Sequence, residues 1–330
     1  MSRLLRNVRL IAIVCLVVGS LWVLLRLTGC SLPGTASDLE LTGTPNAAVF
    51  ELADPRLAEI SGLAASLRVP RRFWVHNDSG NAPVLHALEA TEHGITVVGR
   101  VSVLKAPRGD WEDLAAFEYG GEPWLLIGDI GDNASMRSNV KLLAIREPAL
   151  ESPDAALKLS VPIVHRLRLT YPGGSRDAEG LAVDRDRGEI LLLSKREQEP
   201  QLYHLPLAAL FADKTVVAER TAKLSTLPRP TAFDRQADPR RGGNRSWPTA
   251  LDLRQGRLLV VTYKDAYAWQ RQGNETWQDA LLRLPTVIDL PQLEQTEAGV
   301  WIDDGSSVLI ASERMPARFA LVPVPATITP

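Results

Sequence analysis

The sequence predicts an all-β chain folded as a β-propeller of five four-stranded blades, and three observations carry that prediction. Five short segments of similar character recur: Ser61-Gly62-Leu63-Ala64, Glu112-Asp113-Leu114-Ala115, Glu179-Gly180-Leu181-Ala182, Thr249-Ala250-Leu251-Asp252 and Glu297-Ala298-Gly299-Val300. Each leads through a turn into a hydrophobic strand that closes on a charge, at Asp78, Asp129, Lys195, Lys264 and Glu313. Counted from Leu63, Leu114, Leu181, Leu251 and Gly299, that charge lies 15, 15, 14, 13 and 14 residues on. The distance between units varies far more, over roughly 50 to 70 residues, so one supersecondary unit is reused, and repeated antiparallel sheets of this size suit propeller blades.

The first thirty residues stand apart from that pattern. Residues 1–9 carry Arg3, Arg6 and Arg9 with no acid, and residues 10–25 form an apolar run, which reads as a signal peptide or membrane anchor over residues 1–29. Leu27-Thr28-Gly29-Cys30 resembles the lipobox of bacterial lipoproteins, which implies cleavage before a lipidated Cys30 and tethering by its acyl chains. Arg26 interrupts the approach to that box, so two other readings stay open: soluble export, or an uncleaved anchor whose 16-residue apolar run is short against the roughly 17–25 residues of a bilayer span. All three place residues 45–330 outside the cytoplasm, and the positive N-terminus agrees with that orientation. The expected location is therefore the bacterial cell envelope, with the membrane as one partner. Residues 31–44, rich in Ser, Gly, Thr and Pro, read as a flexible tether.

Loss of Arg3, Arg6, Arg9 and Arg26 on cleavage leaves 33 basic against 39 acidic residues, a net charge of −6. A mildly acidic surface excludes nucleic acid as the natural partner, because phosphate contacts require clustered cations. The other cysteine, Cys15, lies in the apolar run, so no disulfide is available to residues 45–330 and the core must supply the stability.

Second strands are expected at residues 73–76, 124–127, 190–193, 258–262 and 308–311, all rich in Val, Ile, Leu or aromatic residues. Turns such as Asp186-Arg187-Gly188 and Asp303-Asp304-Gly305 precede them. Outer strands follow at residues 140–146, 201–205, 266–270 and 319–322. The helical period is weak, confined to residues 207–212 and 278–282. The last unit has chain for about three strands, while residues 48–52 form an unassigned strand near the start. Ring closure by that N-terminal strand is expected, since it removes an exposed sheet edge. A sixth blade could be concealed in the irregular residues 224–246.

His76-Asn77-Asp78-Ser79-Gly80, Asp110-Trp111-Glu112-Asp113-Leu114, Gly128-Asp129-Ile130-Gly131-Asp132-Asn133 and Asp177-Ala178-Glu179-Gly180-Leu181 resemble the signatures of a group of bacterial exported propeller lipoproteins of undefined activity. The resemblance covers roughly residues 55–315 and implies the fold. More distantly, the Glu-Gly-Leu-Ala and Ser-Glu-Arg pieces are similar to esterase-like phytase-related and gluconolactonase-like propellers, whose sites are calcium-centred.

In an antiparallel pair the start of one strand and the end of the next share an edge. The period thus sets Ser61 beside Asp78, Glu112 beside Asp129, Glu179 beside Lys195, Thr249 beside Lys264 and Glu297 beside Glu313, ringing one mouth of a central channel, a concavity of the kind ligands favour. Glu179 and Lys195 make a structural salt bridge. The like-charge pairs Glu112/Asp129 and Glu297/Glu313 must share a proton or recruit a cation. Asp113, Asp132, Asn77 and Asn133 offer further oxygen donors of the kind calcium uses. The alternative is that these carboxylates accept backbone N–H bonds in turns. An EF-hand is excluded, since the twelfth position counted from Asp129 is Val140.

The histidines, His76, His86, His93, His165 and His204, lack metal spacing, and no Gly-x-Ser-x-Gly or phosphate loop occurs. His76 alone neighbours a carboxylate cluster, as general base or as a packed strand residue. Arg235, Arg240 and Arg241 sit in the irregular stretch, either as a loop that draws an anion to the mouth or as a solvated surface. Trp74, Trp111, Trp247 and Trp301 serve either interblade packing or sugar stacking. The leading functional reading is a membrane-tethered propeller whose acidic, calcium-loaded mouth binds a small ligand or an envelope protein. The alternative is a calcium-dependent hydrolase of a phosphoester, lactone or ester, with Glu112, Asp129 and Glu297 holding the ion and His76 or Asp78 accepting the proton of the attacking water. A purely structural role is the third reading.

Overall fold

The second residue of each inner strand is skipped by the partner strand, and this repeated irregularity organises the molecule. The computed structural model describes residues 47–91, 94–150, 159–212 and 214–325. The expected signal segment, Cys30, the expected tether and His93 lie outside the described residues. Five sheets form. Strand β1 (Ala48–Leu52) belongs to the last of them. The first blade runs outward from β2 (Ile60–Ala65) through β3 (Arg72–Asn77) and β4 (Val84–Thr91) to β5 (Gly94–Leu104). The second comprises β6 (Trp111–Tyr119), β7 (Glu122–Asp129), β8 (Val140–Arg146) and β10 (His165–Thr170). In the third are β11 (Ala178–Asp184), β12 (Glu189–Ser194), β13 (Gln201–Pro206) and β15 (Glu219–Lys223). The fourth has β16 (Pro248–Arg254), β17 (Arg257–Thr262), β18 (Ala266–Gln270) and β19 (Thr286–Ile288). The fifth has β20 (Thr296–Ile302), β21 (Ser307–Ser312) and β22 (Ala317–Pro323), completed by β1.

Ring closure is antiparallel, with Ala48 opposite Leu321 and Leu52 opposite Ala317, so the N-terminal strand covers the edge that β22 would otherwise expose. Two further strands reach back to the preceding blade. Strand β9 (Leu159–Pro162) leaves the second blade and pairs in parallel with β5, and β14 (Thr215–Val217) leaves the third and pairs in parallel with β10. Residues 224–246 contribute no strand. They contain a short helix α1 (Ala232–Ala237), closed by a Thr231/Asp234 capping box, and a 3-10 turn (Gly242–Asn244), so the blade count is five. The two weak helical signals appear as a 3-10 turn (Leu207–Phe211) and the one-turn helix α2 (Trp277–Ala280).

Packing lies between blades. Trp74, Leu85, Trp111, Leu125 and Ile127 join the first and second, while Leu191, Leu193, Leu251 and Val260 join the third and fourth. Burial of each such side chain contributes about 1.5–3 kcal/mol. Trp74, Trp111 and Trp301 are buried in this packing, and the indole N–H of Trp74 donates to Glu147 at 3.0 Å.

In all five inner strands the ladder shifts after the first residue, skipping Ser61, Glu112, Glu179, Thr249 and Glu297. A bulge of this kind frees the skipped residue from the ladder and re-aims its side chain. The reused sequence unit is thus a reused bulge.

Candidate functional site

The five bulged residues are all buried, three of them are glutamates, and each glutamate meets a different environment. Glu179 Oε1 lies 2.7 Å from Lys195 Nζ. Lys195 also sits over the Tyr263 ring at 5.0 Å. Burial works to lower the lysine pKa, but the negative charges of Glu179 and Glu297 outweigh it and hold the ammonium well above its usual range. Glu297 accepts from the Gln295 amide at 3.2 Å, and the same amide donates to Glu313, so an amide bridges these two carboxylates.

Glu112 has no such partner. Among the described residues its carboxylate receives a long hydrogen bond from Ser61 Oγ, 3.4 Å, whose shorter bond of 2.7 Å goes to the Glu112 carbonyl. What surrounds the carboxylate is acid. Oxygens of Asp78, Asp110 and Glu112 lie within 4.8 Å of one another, as do oxygens of Glu112, Asp177 and Glu179. Burial, followed by the charges of Glu179, Asp78 and Asp110, pushes the Glu112 carboxyl well above the usual range, against the weaker opposing charge of Lys195. Burial likewise raises Asp78 and Asp110. Gly131 makes room for the gathering, because a Cβ there would collide with Glu112 Oε1 and Asp110 Oδ2. Asp177 is additionally held by the Asp132 N–H at 2.8 Å and by Arg196 Nε at 2.5 Å.

The other expected site residues fall elsewhere. Asp129 lies in neither carboxylate group: Arg137 approaches it at 2.7 Å and Lys141 at 3.5 Å, and the Asp110 N–H donates to it at 3.1 Å. The end of β7 therefore presents this side chain to cations rather than to Glu112. Glu297 and Glu313 also lie outside both groups. His76 is fully buried above Gly62, edge-on to Trp111 with ring centroids 5.4 Å apart. Its Nδ1 meets the Asn77 carbonyl at 3.1 Å, its Nε2 has no partner, and burial lowers its pKa to about 4. Lys264 does not bond Thr249 but reaches Asp234 at 2.9 Å, where Arg245 also binds at 2.6 Å, clamping the irregular stretch onto the fourth blade. The backbone N–H groups of Arg240 and Arg241 donate to the Asp238 carboxylate, and burial raises Glu313 despite the opposing charges of Arg314 and Arg241. Arg235 borders a recess of about 270 Å³ together with Arg196, Arg229 and Trp247.

Asp110 and Asp177 escaped the sequence reading, although a signal for them exists. Each stands two residues before a bulged glutamate, in Asp110-Trp111-Glu112 and Asp177-Ala178-Glu179. Asp113, expected as a further oxygen donor for calcium, is instead taken up by backbone N–H groups. At the position after the bulge the blades carry Gly62, Asp113, Gly180, Ala250 and Ala298, four small residues and one carboxylate. That carboxylate crosses the channel: Oδ2 accepts from the N–H of Leu181 at 2.9 Å and Leu251 at 3.0 Å, and Oδ1 from Leu114 at 2.8 Å. It ties the second blade to the third and fourth and floors the mouth.

Neither a family model nor a curated protein matches this sequence. Among solved structures the chain is similar to a luciferin-regenerating enzyme, at 8% identity and TM-score 0.45 over 85% of this chain and 96% of that one. It is also similar to a gluconolactonase from Xanthomonas campestris, at 12% identity and TM-score 0.42 over 90% and 96%. A nidogen/laminin complex aligns at 13% identity and TM-score 0.41 over 77% and 73%. Among the described residues no helix is long and apolar enough to cross a membrane.

Proposed function

We propose that the protein is an extracytoplasmic, membrane-tethered binding propeller whose channel mouth holds a divalent cation at Asp78, Asp110 and Glu112 and presents it to an oxygen-bearing ligand or envelope partner. The observation that carries this reading is the environment of Glu112: a buried carboxylate facing carboxylates, with no cationic side chain bonded to it among the described residues. Like charges held this close require neutralisation. The donors offered are all oxygens, which suits a hard cation such as calcium better than zinc or copper. A bound ion would supply charge neutralisation and open coordination positions for ligand oxygens.

Binding is favoured over hydrolysis because the candidate base is misplaced. His76 is buried behind Gly62, neutral and out of contact with solvent, and Asp78 belongs to the carboxylate group itself. Calcium titrated calorimetrically into chelator-treated protein should bind at one ion per chain, and Glu112→Gln should abolish the heat while circular dichroism stays unchanged. Absence of binding to the wild type, with no metal found by elemental analysis, would defeat the reading.

A further inference from the structure

The far end of the channel carries a second recess, which the acidic mouth does not explain. It has a volume of about 640 Å³ and lies where the inner strands end, at Phe117 of β6, Val183 of β11 and Leu253 of β16. This volume is ample for a small organic ligand. Asp113, hydrogen-bonded across three blades, stands between it and the acidic mouth.

Three guanidiniums from three blades line the recess: Arg68 from the turn after β2, Arg185 after β11, and Arg254 at the end of β16. Their acidic partners hold them loosely. Arg68 lies 3.9 Å from Glu122, Arg185 3.3 Å from Glu118 and Arg254 3.1 Å from Asp304, and in every pair the acid is more than half exposed. Exposed pairs of this kind are readily exchanged for another anion. Arg68 is pre-positioned, since its Nε donates to the Glu147 carbonyl at 2.9 Å and leaves the terminal nitrogens available. Against the three arginines stand Glu118 and Asp186 on the same rim, with Glu122 and Asp304 beside it as the exposed partners of Arg68 and Arg254. The walls between them are apolar, with Phe117 and Val183 almost fully buried.

We infer that this recess binds an anionic organic ligand, its carboxylate or sulfonate taken by these arginines and its apolar body seated on the exposed parts of Leu67, Ala116 and Leu253. Guanidiniums match such planar or tripod oxyanions through paired N–H bonds. The apolar surface between the arginines disfavours a bare inorganic ion.

The test uses 8-anilinonaphthalene-1-sulfonate, an aromatic monoanion whose fluorescence reports binding, with the natively folded protein. The wild type should give one saturable site. The double variant Arg185→Gln, Arg254→Gln should bind at least tenfold more weakly, with an unchanged circular dichroism spectrum and melting temperature. The uncharged analogue N-phenyl-1-naphthylamine should also bind at least tenfold more weakly to the wild type. Benzoate and octanoate compete for the site, the stronger of the two telling an aromatic body from an aliphatic one, whereas inorganic phosphate does not. Because the site is independent of the acidic mouth, Glu112→Gln should leave dye binding unchanged. Equal binding by the double variant, equal binding of the uncharged analogue, or displacement by phosphate at the concentration where benzoate acts would each overturn the inference.

Discussion

Glu112 and Asp113 are consecutive, both are buried, and both carboxyls are pushed well above the usual range by burial, yet the two layers of the channel they occupy are chemical opposites. Asp113 receives three backbone N–H groups from three blades. Among the described residues, the Glu112 carboxylate receives one long hydroxyl bond and faces other acids. The bulge makes the difference: it removes residue 112 from the ladder and aims it along the mouth, whereas residue 113 re-enters the ladder opposite Gly128 with its side chain across the channel. A buried carboxylate is therefore not a site by virtue of burial. It becomes a candidate site when the fold sets it among other acids instead of backbone donors.

The contrast is broken first at the floor. Asp113→Ala leaves the N–H groups of Leu181 and Leu251 without acceptors, and each orphaned buried donor costs about 1–3 kcal/mol. The variant should lose roughly 3 kcal/mol or more, lowering the melting temperature by about 6–12 °C for a domain of this size, measured by calorimetry with or without calcium. An unchanged melting temperature would mean that Asp113 does not tie the blades together.

At the mouth the sign should reverse. Glu112→Gln removes one of several like charges, so the chelator-treated variant should melt at or above the chelator-treated wild type. What it loses is the cation response. An ion at a hundredfold excess over its Kd stabilises the wild type by roughly 2.7 kcal/mol, and the variant should show none of this.

The metal-free protein should also depend on pH in a direction set by the mouth. Burial raises Glu179 to about 7 and Glu297 to about 8. Their unfolded values are lower, so at intermediate pH the native state holds protons that the unfolded chain releases. That contribution is complete below about pH 4.5 and fades as pH rises through 7 and 8. Urea midpoints taken at intervals across that window should fall with pH in chelator, and Glu297→Gln should flatten the upper part of the slope. A rising midpoint would contradict the assignment.

The smallest effect is expected at Gly131→Ala. The nearest atoms that the added methyl meets are the carboxylate ends of Glu112 and Asp110. The fold should survive, with calcium affinity weaker by about tenfold, equivalent to roughly 1.4 kcal/mol.

The fold was legible because its signal repeats. Five bulged strand starts, each followed at nearly constant distance by a charge, leave a trace in the sequence whatever the loops do, and the strand at residues 48–52 was recognisable as the missing edge because the last unit ran short of chain. The site was legible only in part, since one residue within a strand pair says little about contacts across the channel. Pairing Glu112 with Asp129 followed the antiparallel edge correctly but could not foresee that Arg137 and Lys141, from the following loop and strand, take Asp129 instead. The residues gathered round Glu112 come from three blades, and no local spacing encodes that meeting. The arginines of the far recess are scattered over three turns and leave no motif at all.

The most direct test of the central claim is a crystal structure of the protein grown with calcium, with anomalous scattering used to locate the ion. The account predicts a single ion coordinated by Asp78, Asp110 and Glu112, with Lys195 remaining on Glu179. An ion between Glu297 and Glu313, or no ion and the Glu112 carboxylate bonded to backbone N–H groups, would contradict it.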